Sequence, residues 1–256
     1  MLRDLLTHPR MRGRDLDHPA TTGLKRALVR DKVFLRKIYD EWYVMIAEAL
    51  RQGDAPVLEL GSGPGFLGER IPGLITSEIF FVPGVRVVLD GCALPFADDS
   101  LRGIVMTDVF HHLPDARRFM SEASRCVGVG GSVVMVEPWV TPWSRLIYAN
   151  LHHEPFMPEA AEWAVPSSGP LSGANGALPW IVFERDRARF EAEFPQWRIR
   201  AIEPFMPFRY LLSGGVSMRS LMPGIAFGAW RGLERALRPW MRHLAMFAFI
   251  ALDRTR

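Results

Sequence analysis

A chain of 256 residues, 48% of them hydrophobic, has enough apolar material for one substantial core, and one domain with insertions over residues 1–256 is expected. The net charge is only +3. Although the pI is about 9.1, Lys25, Lys32 and Lys37 are the only lysines among 31 basic residues, and the arginines form no dense block beyond Arg10-Met11-Arg12-Gly13-Arg14, so no nucleic-acid partner is expected. Cys92 and Cys126 are too few for a disulfide framework or a cysteine metal centre and fit a reducing compartment.

The opening Met1-Leu2-Arg3-Asp4 has no apolar run behind it, so no secretory leader and a cytoplasmic location are expected. The longest apolar stretches, Leu221 to Trp230 and Leu244 to Leu252, fall short of the ~20 residues a spanning helix needs. Residues 1–52 read as a loop and then a helical preface, because Leu28, Phe34, Leu35, Ile38, Trp42, Met45, Ile46 and Leu50 recur at helical spacing. Tyr39, Trp42 and Tyr43 belong either to the core or to a segment folded over a ligand. Val57-Leu58-Glu59-Leu60 is a short apolar strand that runs into Gly61-Ser62-Gly63-Pro64-Gly65, a turn where a ligand can approach the backbone closely. Phe66 stands where a dinucleotide fingerprint needs its third glycine, and no Lys-Ser/Thr pair follows to make a phosphate loop.

Glu59-Leu60-Gly61-Ser62-Gly63-Pro64-Gly65 resembles motif I of the class I S-adenosylmethionine (SAM) dependent methyltransferases, small-molecule enzymes of methyltransferase type 11 among them. Asp90-Gly91-Cys92-Ala93-Leu94-Pro95-Phe96-Ala97-Asp98-Asp99-Ser100-Leu101 is similar to that family's D-x-x-x-L-P-F-x-D-x-S-F segment, and His111-His112-Leu113-Pro114-Asp115 to its H-H-L-x-D tail. The resemblance covers roughly residues 55–140. It implies an α/β fold, a Rossmann-like, doubly wound, mostly parallel seven-stranded sheet, with SAM as methyl donor. The cofactor residues it implies are Glu59, Gly61, Ser62, Gly63 and Gly65 in the turn, Asp90 beside the adenine, Gly91 and Cys92 along the ring, and Thr107 at a later strand tip. Glu78 is the expected ribose ligand, because an ionised carboxylate offers two acceptors to two hydroxyls. The helix usual between the second and third strands is missing: only residues 80–84 separate Ile79 from a strand read at Val85 to Leu89.

Gly103 to Asp108 reads as the fourth strand, Ala116 to Val127 as a helix ended by Gly128-Val129-Gly130-Gly131, and Ser132 to Glu137 as the fifth strand. Residues 53–140 thus form the SAM-binding core. Residues 141–185, rich in aromatics around His152-His153-Glu154, and residues 207–243 read as two substrate-lid insertions. Asp186 to Phe194 is an expected helix, with strands at Trp197 to Phe205 and Met246 to Asp253.

Methyl transfer from a sulfonium needs orientation more than chemical activation, and whether an oxygen or nitrogen acceptor also needs a base depends on the acceptor. His111, His112, His153 and Glu137 are the candidates, each with a structural alternative such as pairing with backbone at a helix start. His111, His112, His152, His153 and Glu154 have zinc- or iron-type donors, yet adjacent histidines seldom ligate one ion, and no metal is expected. The expected function is methylation, on oxygen or nitrogen, of a small and mainly apolar acceptor. The lid insertions leave peripheral membrane or lipid contact open, and the oligomeric state is not readable. The alternative is a SAM-binding protein without transfer activity, acting as a regulatory or scaffolding partner.

Overall fold

Strands that are apolar at successive positions must be covered on both faces, and this rule lays out the molecule. The computed structural model describes residues 6–15, 17–63, 65–151, 154–165, 169 and 173–256. Two helices, α1 (Pro19–Asp31) and α2 (Val33–Ala49), form the preface, and the chain breaks between them at Lys32. Strands β1 (Val57–Leu60), β2 (Ile75–Glu78), β3 (Val87–Val88) and β4 (Leu101–Thr107) precede α3 (Ala116–Cys126). After β5 (Val127–Pro138) and α4 (Pro142–Leu151), a helical stretch from Leu178 through the π-turn Ile181–Arg185 leads into α5 (Arg187–Glu193). Then come β6 (Trp197–Phe205), α6 (Arg209–Ser213), α7 (Phe227–Ala236), α8 (Met241–Leu244) and β7 (Phe247–Arg254).

The seven strands lie in one sheet in the order β3-β2-β1-β4-β5-β7-β6, parallel except for β7, which pairs antiparallel with both neighbours. This is the expected doubly wound, mostly parallel sheet. No helix stands between β2 and β3, as expected. The fifth strand departs from expectation. It begins at Val127 rather than Ser132, because the glycine run does not stop the chain but loops out as a bulge between the pairs Leu101↔Val127 and Gly103↔Ser132.

Alternate strand residues feed two cores. Ile104, Met106, Val133, Met135, Ile250 and Leu252 pack against α3 and the Leu178–Phe194 helices, where Phe119, Phe183 and Phe190 are fully buried. Val105, Val134, Val136, Phe249 and Ala251 face α2, which inserts Phe34, Leu35, Ile38, Trp42 and Ile46. The aromatic segment after β5 therefore divides. Trp163 and Phe183 cover the sheet, Trp163 donating to Asp186 Oδ2 at 2.8 Å, whereas Ile147, Tyr148 and Leu151 turn toward a cavity. Among the described residues no helix is long and apolar enough to cross a membrane.

The preface also fixes the glycine turn. Tyr43 accepts the Phe66 backbone N–H at 3.3 Å, and Tyr39, Tyr43 and Arg36 surround the Phe66 ring. A Cβ on Gly65 would collide with the Tyr43 hydroxyl and lie 2.8 Å from the Ser62 carbonyl, so Gly65 serves this packing. Gly65→Ala is expected to cost about 1–3 kcal/mol by overpacking, read as a fall of several degrees in Tm, and the loss should shrink in a Tyr43→Phe background.

Candidate active site

The parallel strands β1, β2 and β4 end at one edge of the sheet, which is where a doubly wound fold holds its ligands. A cavity of about 610 Å³ opens there. Gly61 (φ 63°) and Gly63 (φ 46°) form one wall in the left-handed conformation. A side chain at Gly61 would also strike Val109, 2.7 Å from the position of its Cβ. Ser62 sews the turn to β2: its N–H donates to the Ser77 carbonyl at 2.8 Å, its Oγ accepts the Ser77 N–H at 3.1 Å, and Ser77 Oγ donates to the Glu59 carbonyl at 2.8 Å. From α1, Arg26 donates to the Gly63 carbonyl at 3.0 Å and to the Pro83 carbonyl at 2.8 Å, taking up part of the space left by the missing helix.

Glu78 ends β2 on the cavity wall. Its Oε1 accepts the Gly63 N–H at 2.5 Å and its Oε2 the Ile79 N–H at 3.3 Å. Burial raises its pKa, and those two hydrogen bonds oppose the rise. Asp90 and Gly91 line the wall beyond, with Leu89 and Leu113, and Asp90 Oδ1 accepts the Cys92 N–H at 2.8 Å. Thr107 lines the floor, its Oγ1 buried without a hydrogen-bond partner.

Four of the residues assigned to the cofactor stand behind the wall. The Cys92 side chain turns inward to the Asp115 carbonyl at 3.5 Å, so only its backbone neighbour Gly91 reaches the cavity. Ser62 and Gly65 shape the turn from behind. Glu59 is 3% exposed, and burial pushes its carboxyl up to about 7 against a hydrogen bond from Ser62.

The catalytic candidates also separate. Glu137 is fully buried; Oε1 accepts the N–H groups of Val109 and Phe110, each at 2.8 Å, and Oε2 meets His111 Nδ1 at 2.8 Å. Both oxygens are engaged and it has no exposure, and its hydrogen bonds fix the turn Phe110–His112. His111 is 1% exposed. Burial would lower its pKa, but hydrogen bonds to Glu137 and Glu154 more than offset this and hold it well above its ordinary value. Its ring is held between the Glu137 and Glu154 carboxylates. His112 lines the cavity, and its Nδ1 meets the Gly173 carbonyl at 3.1 Å; burial and the neighbouring His111 push its pKa down to about 3. His153, like His152, lies outside the described residues.

Several cavity residues were not among the expected site residues. Asp108 (φ 62°) ends β4, held by its N–H to the Val136 carbonyl at 2.9 Å, and burial pushes its pKa up to about 7. Tyr39, Tyr148 and Tyr210 come from three different helices, and Lys25, its pKa lowered by burial, faces in from α1. Asp108 could have been suspected as the residue at a strand tip beside the glycine turn, and Tyr39 falls in the stretch read as core or as a segment folded over a ligand.

Glycines that admit a ligand to the backbone, a carboxylate at the tip of β2, an acidic residue after β3 and an unpartnered Thr107 hydroxyl suit an adenosyl group with an amino-acid tail, so the residues present fit SAM. Residues 75–135 match a methyltransferase domain model, and the sheet has the fold of solved methyltransferases. The chain is similar in fold to the geranyl diphosphate C-methyltransferase of Streptomyces coelicolor A3(2), solved with Mg2+, geranyl diphosphate and S-adenosyl-L-homocysteine: 15% identity, TM-score 0.54, covering 98% of this chain and 89% of that one. It is similar also to a geranyl diphosphate methyltransferase solved with SAM (16%, TM-score 0.55, 98% and 96%) and to the [4+2]-cyclase SpnF (13%, TM-score 0.52, 84% and 80%). No curated protein matches the sequence significantly.

Glu59 yields a stability prediction. Between its ordinary value of 4.5 and about 7 the unfolded chain ionises first, so native stability falls as pH rises through that window. Above it the full penalty, up to about 3 kcal/mol, applies. Glu59→Gln should therefore gain stability over wild type at pH 8 relative to pH 4.5 in urea melts; an equal difference at both pH values contradicts the burial argument.

Proposed function

We propose that this protein transfers the methyl group of SAM, by in-line displacement, to an oxygen or nitrogen of a small and mainly apolar acceptor. The observation that carries the reading is continuity: one cavity is lined both by the Gly61–Gly63 turn and by Ile147, Leu151, Leu211, Val216, Leu221 and Met246, with a smaller number of polar groups among them. Apolar area contributes about 25 cal/mol per Å², and a few polar groups are enough to fix orientation.

SAM supplies an electrophilic methyl group on a sulfonium whose leaving group is a neutral thioether. The chain's own work is then to place and to deprotonate. Glu78 is positioned to accept the ribose hydroxyls, and Asp90 with Gly91 to hold the adenine edge. Removing one charge-assisted hydrogen bond costs about 1.5–3 kcal/mol, so Asp90→Ala should weaken SAM binding roughly tenfold to a hundredfold by calorimetry. Gly63→Val, forced into a left-handed conformation, should fold but bind SAM poorly.

Asp108 is the base this reading favours. It lines the same cavity as the glycine turn and the apolar chamber, and its pKa of about 7 suits proton transfer at neutral pH, whereas His112 stays neutral and accepts a proton only weakly. Since the ionised form is the active one, kcat should rise with pH through about 7. Asp108→Asn should lower kcat about 10²- to 10⁴-fold and abolish that limb while SAM affinity is kept.

The acceptor is tested by incubating the protein with methyl-labelled SAM and a fractionated cell extract. Label is expected in the apolar small-molecule fraction. Label confined to the protein, nucleic-acid or hydrophilic fraction overturns the proposed acceptor.

A further inference from the structure

His111 and His112 follow each other on one tight turn, yet their rings come together, with centroids 4.2 Å apart. Each ring is fixed through Nδ1. His111 Nδ1 faces the Glu137 carboxylate at 2.8 Å and His112 Nδ1 the Gly173 carbonyl at 3.1 Å. Both partners only accept hydrogen bonds, so each Nδ1 carries a proton; His112 Nε2 presents a lone pair, and His111 Nε2 presents one once the proton it shares with Glu154 is displaced. Both Nε2 atoms point at one carboxylate: His111 Nε2 lies 3.5 Å from Glu154 Oε2, and His112 Nε2 3.8 Å from Glu154 Oε1. The three donors lie within 4.8 Å of one another.

We propose that His111, His112 and Glu154 bind a divalent first-row cation of the zinc type on the floor of the cavity. Tetrahedral zinc with ligands near 2.0–2.1 Å sets its donors about 3.3 Å apart; His111 Nε2 is 3.5 Å from one Glu154 oxygen and His112 Nε2 is 3.8 Å from the other. Two imidazoles and one carboxylate suit Zn2+ or Fe2+, while Mg2+ demands an octahedral oxygen shell. The layer behind the donors is also in place, since histidine ligands usually donate their other nitrogen to a carboxylate or backbone carbonyl, as both do here. Binding displaces the proton that His111 otherwise shares with Glu154. His112 and Glu154 line the cavity, so the remaining coordination position opens toward the chamber, where it takes an oxygen of the bound molecule. That last step rests on the acceptor reading above; the binding of the ion does not.

The experiment uses untagged, chelator-treated full-length protein titrated calorimetrically with Zn2+, with X-ray absorption of the zinc-loaded wild type as a measurement that needs no variant. One equivalent should bind with micromolar or tighter affinity, and the absorption spectrum should show imidazole ligands. His112→Ala and Glu154→Gln should each weaken binding at least tenfold while retaining SAM binding, which reports that the fold is intact. His243→Ala, changing a surface histidine that meets Arg242 Nε at 2.9 Å, should change nothing. The absence of saturable binding, a shell of oxygen or sulfur alone, or undiminished affinity in the His112→Ala/Glu154→Gln double variant overturns the site. Zinc uptake with no methyl transfer to any fraction would keep the metal site and reject the acceptor reading, so the two failures are distinguishable.

Discussion

A single buried carboxylate holds the functional edge of this molecule in register. Glu137 ends β5 with no exposure and spends both oxygens on the loop after β4, accepting Val109 N–H, Phe110 N–H and His111 Nδ1. Three hydrogen bonds to a charged acceptor compensate for its removal from water. They also determine where Asp108 and Val109 stand against Gly61, and which way both histidines turn. Loss of this one side chain would free a loop that touches the cofactor wall and the cavity floor at once.

A second constraint comes from arginine and lysine, used as long struts rather than as surface charge. Arg26 crosses from α1 to the Gly63 and Pro83 carbonyls. Lys32 reaches the Gly215 and Met218 carbonyls. Arg209 is buried between Glu41 and Glu234, which also accepts the Phe208 N–H. Each strut satisfies carbonyls or carboxylates that irregular backbone would otherwise leave bare, and this lets a cap without regular sheet close over the cavity.

Much of the fold was legible because it rests on local patterns. Apolar runs ending in glycine or acidic residues marked β1, β4 and the sheet edge, and Trp197–Phe205 was bounded to the residue. What the sequence did not carry was direction. Glu59, Ser62, Gly65 and Cys92 sit in the right motifs but face the core, because alternate positions along a turn point to opposite sides and the motif does not say which side holds the ligand. Glu137 reads as a candidate base because it ends a strand, and the sequence did not carry its three hydrogen bonds to the 109–111 loop. Asp108, Tyr148 and Tyr210 were invisible for the opposite reason: no spacing relates residues 108, 148 and 210 until the sheet brings their elements together. Trp163 and Phe183, read as lid, were claimed by the larger apolar surface of the sheet.

The position of β7 has a bearing on how the molecule comes into being. It is the last strand of the chain, yet it lies between β5 and β6 and supplies a full antiparallel ladder to each. During synthesis β6 therefore emerges with no neighbour to pair with, and the far half of the sheet waits for residues 247–254. The cavity shares this delay, because its cap joins Leu6 and His8 to the loop at Ser217 and Arg219. Nascent chains thus carry the glycine turn and its partner strands long before they have a closed chamber, and the exposed edges of β5 and β6 are the surfaces most open to chaperones or to wrong pairing in that interval.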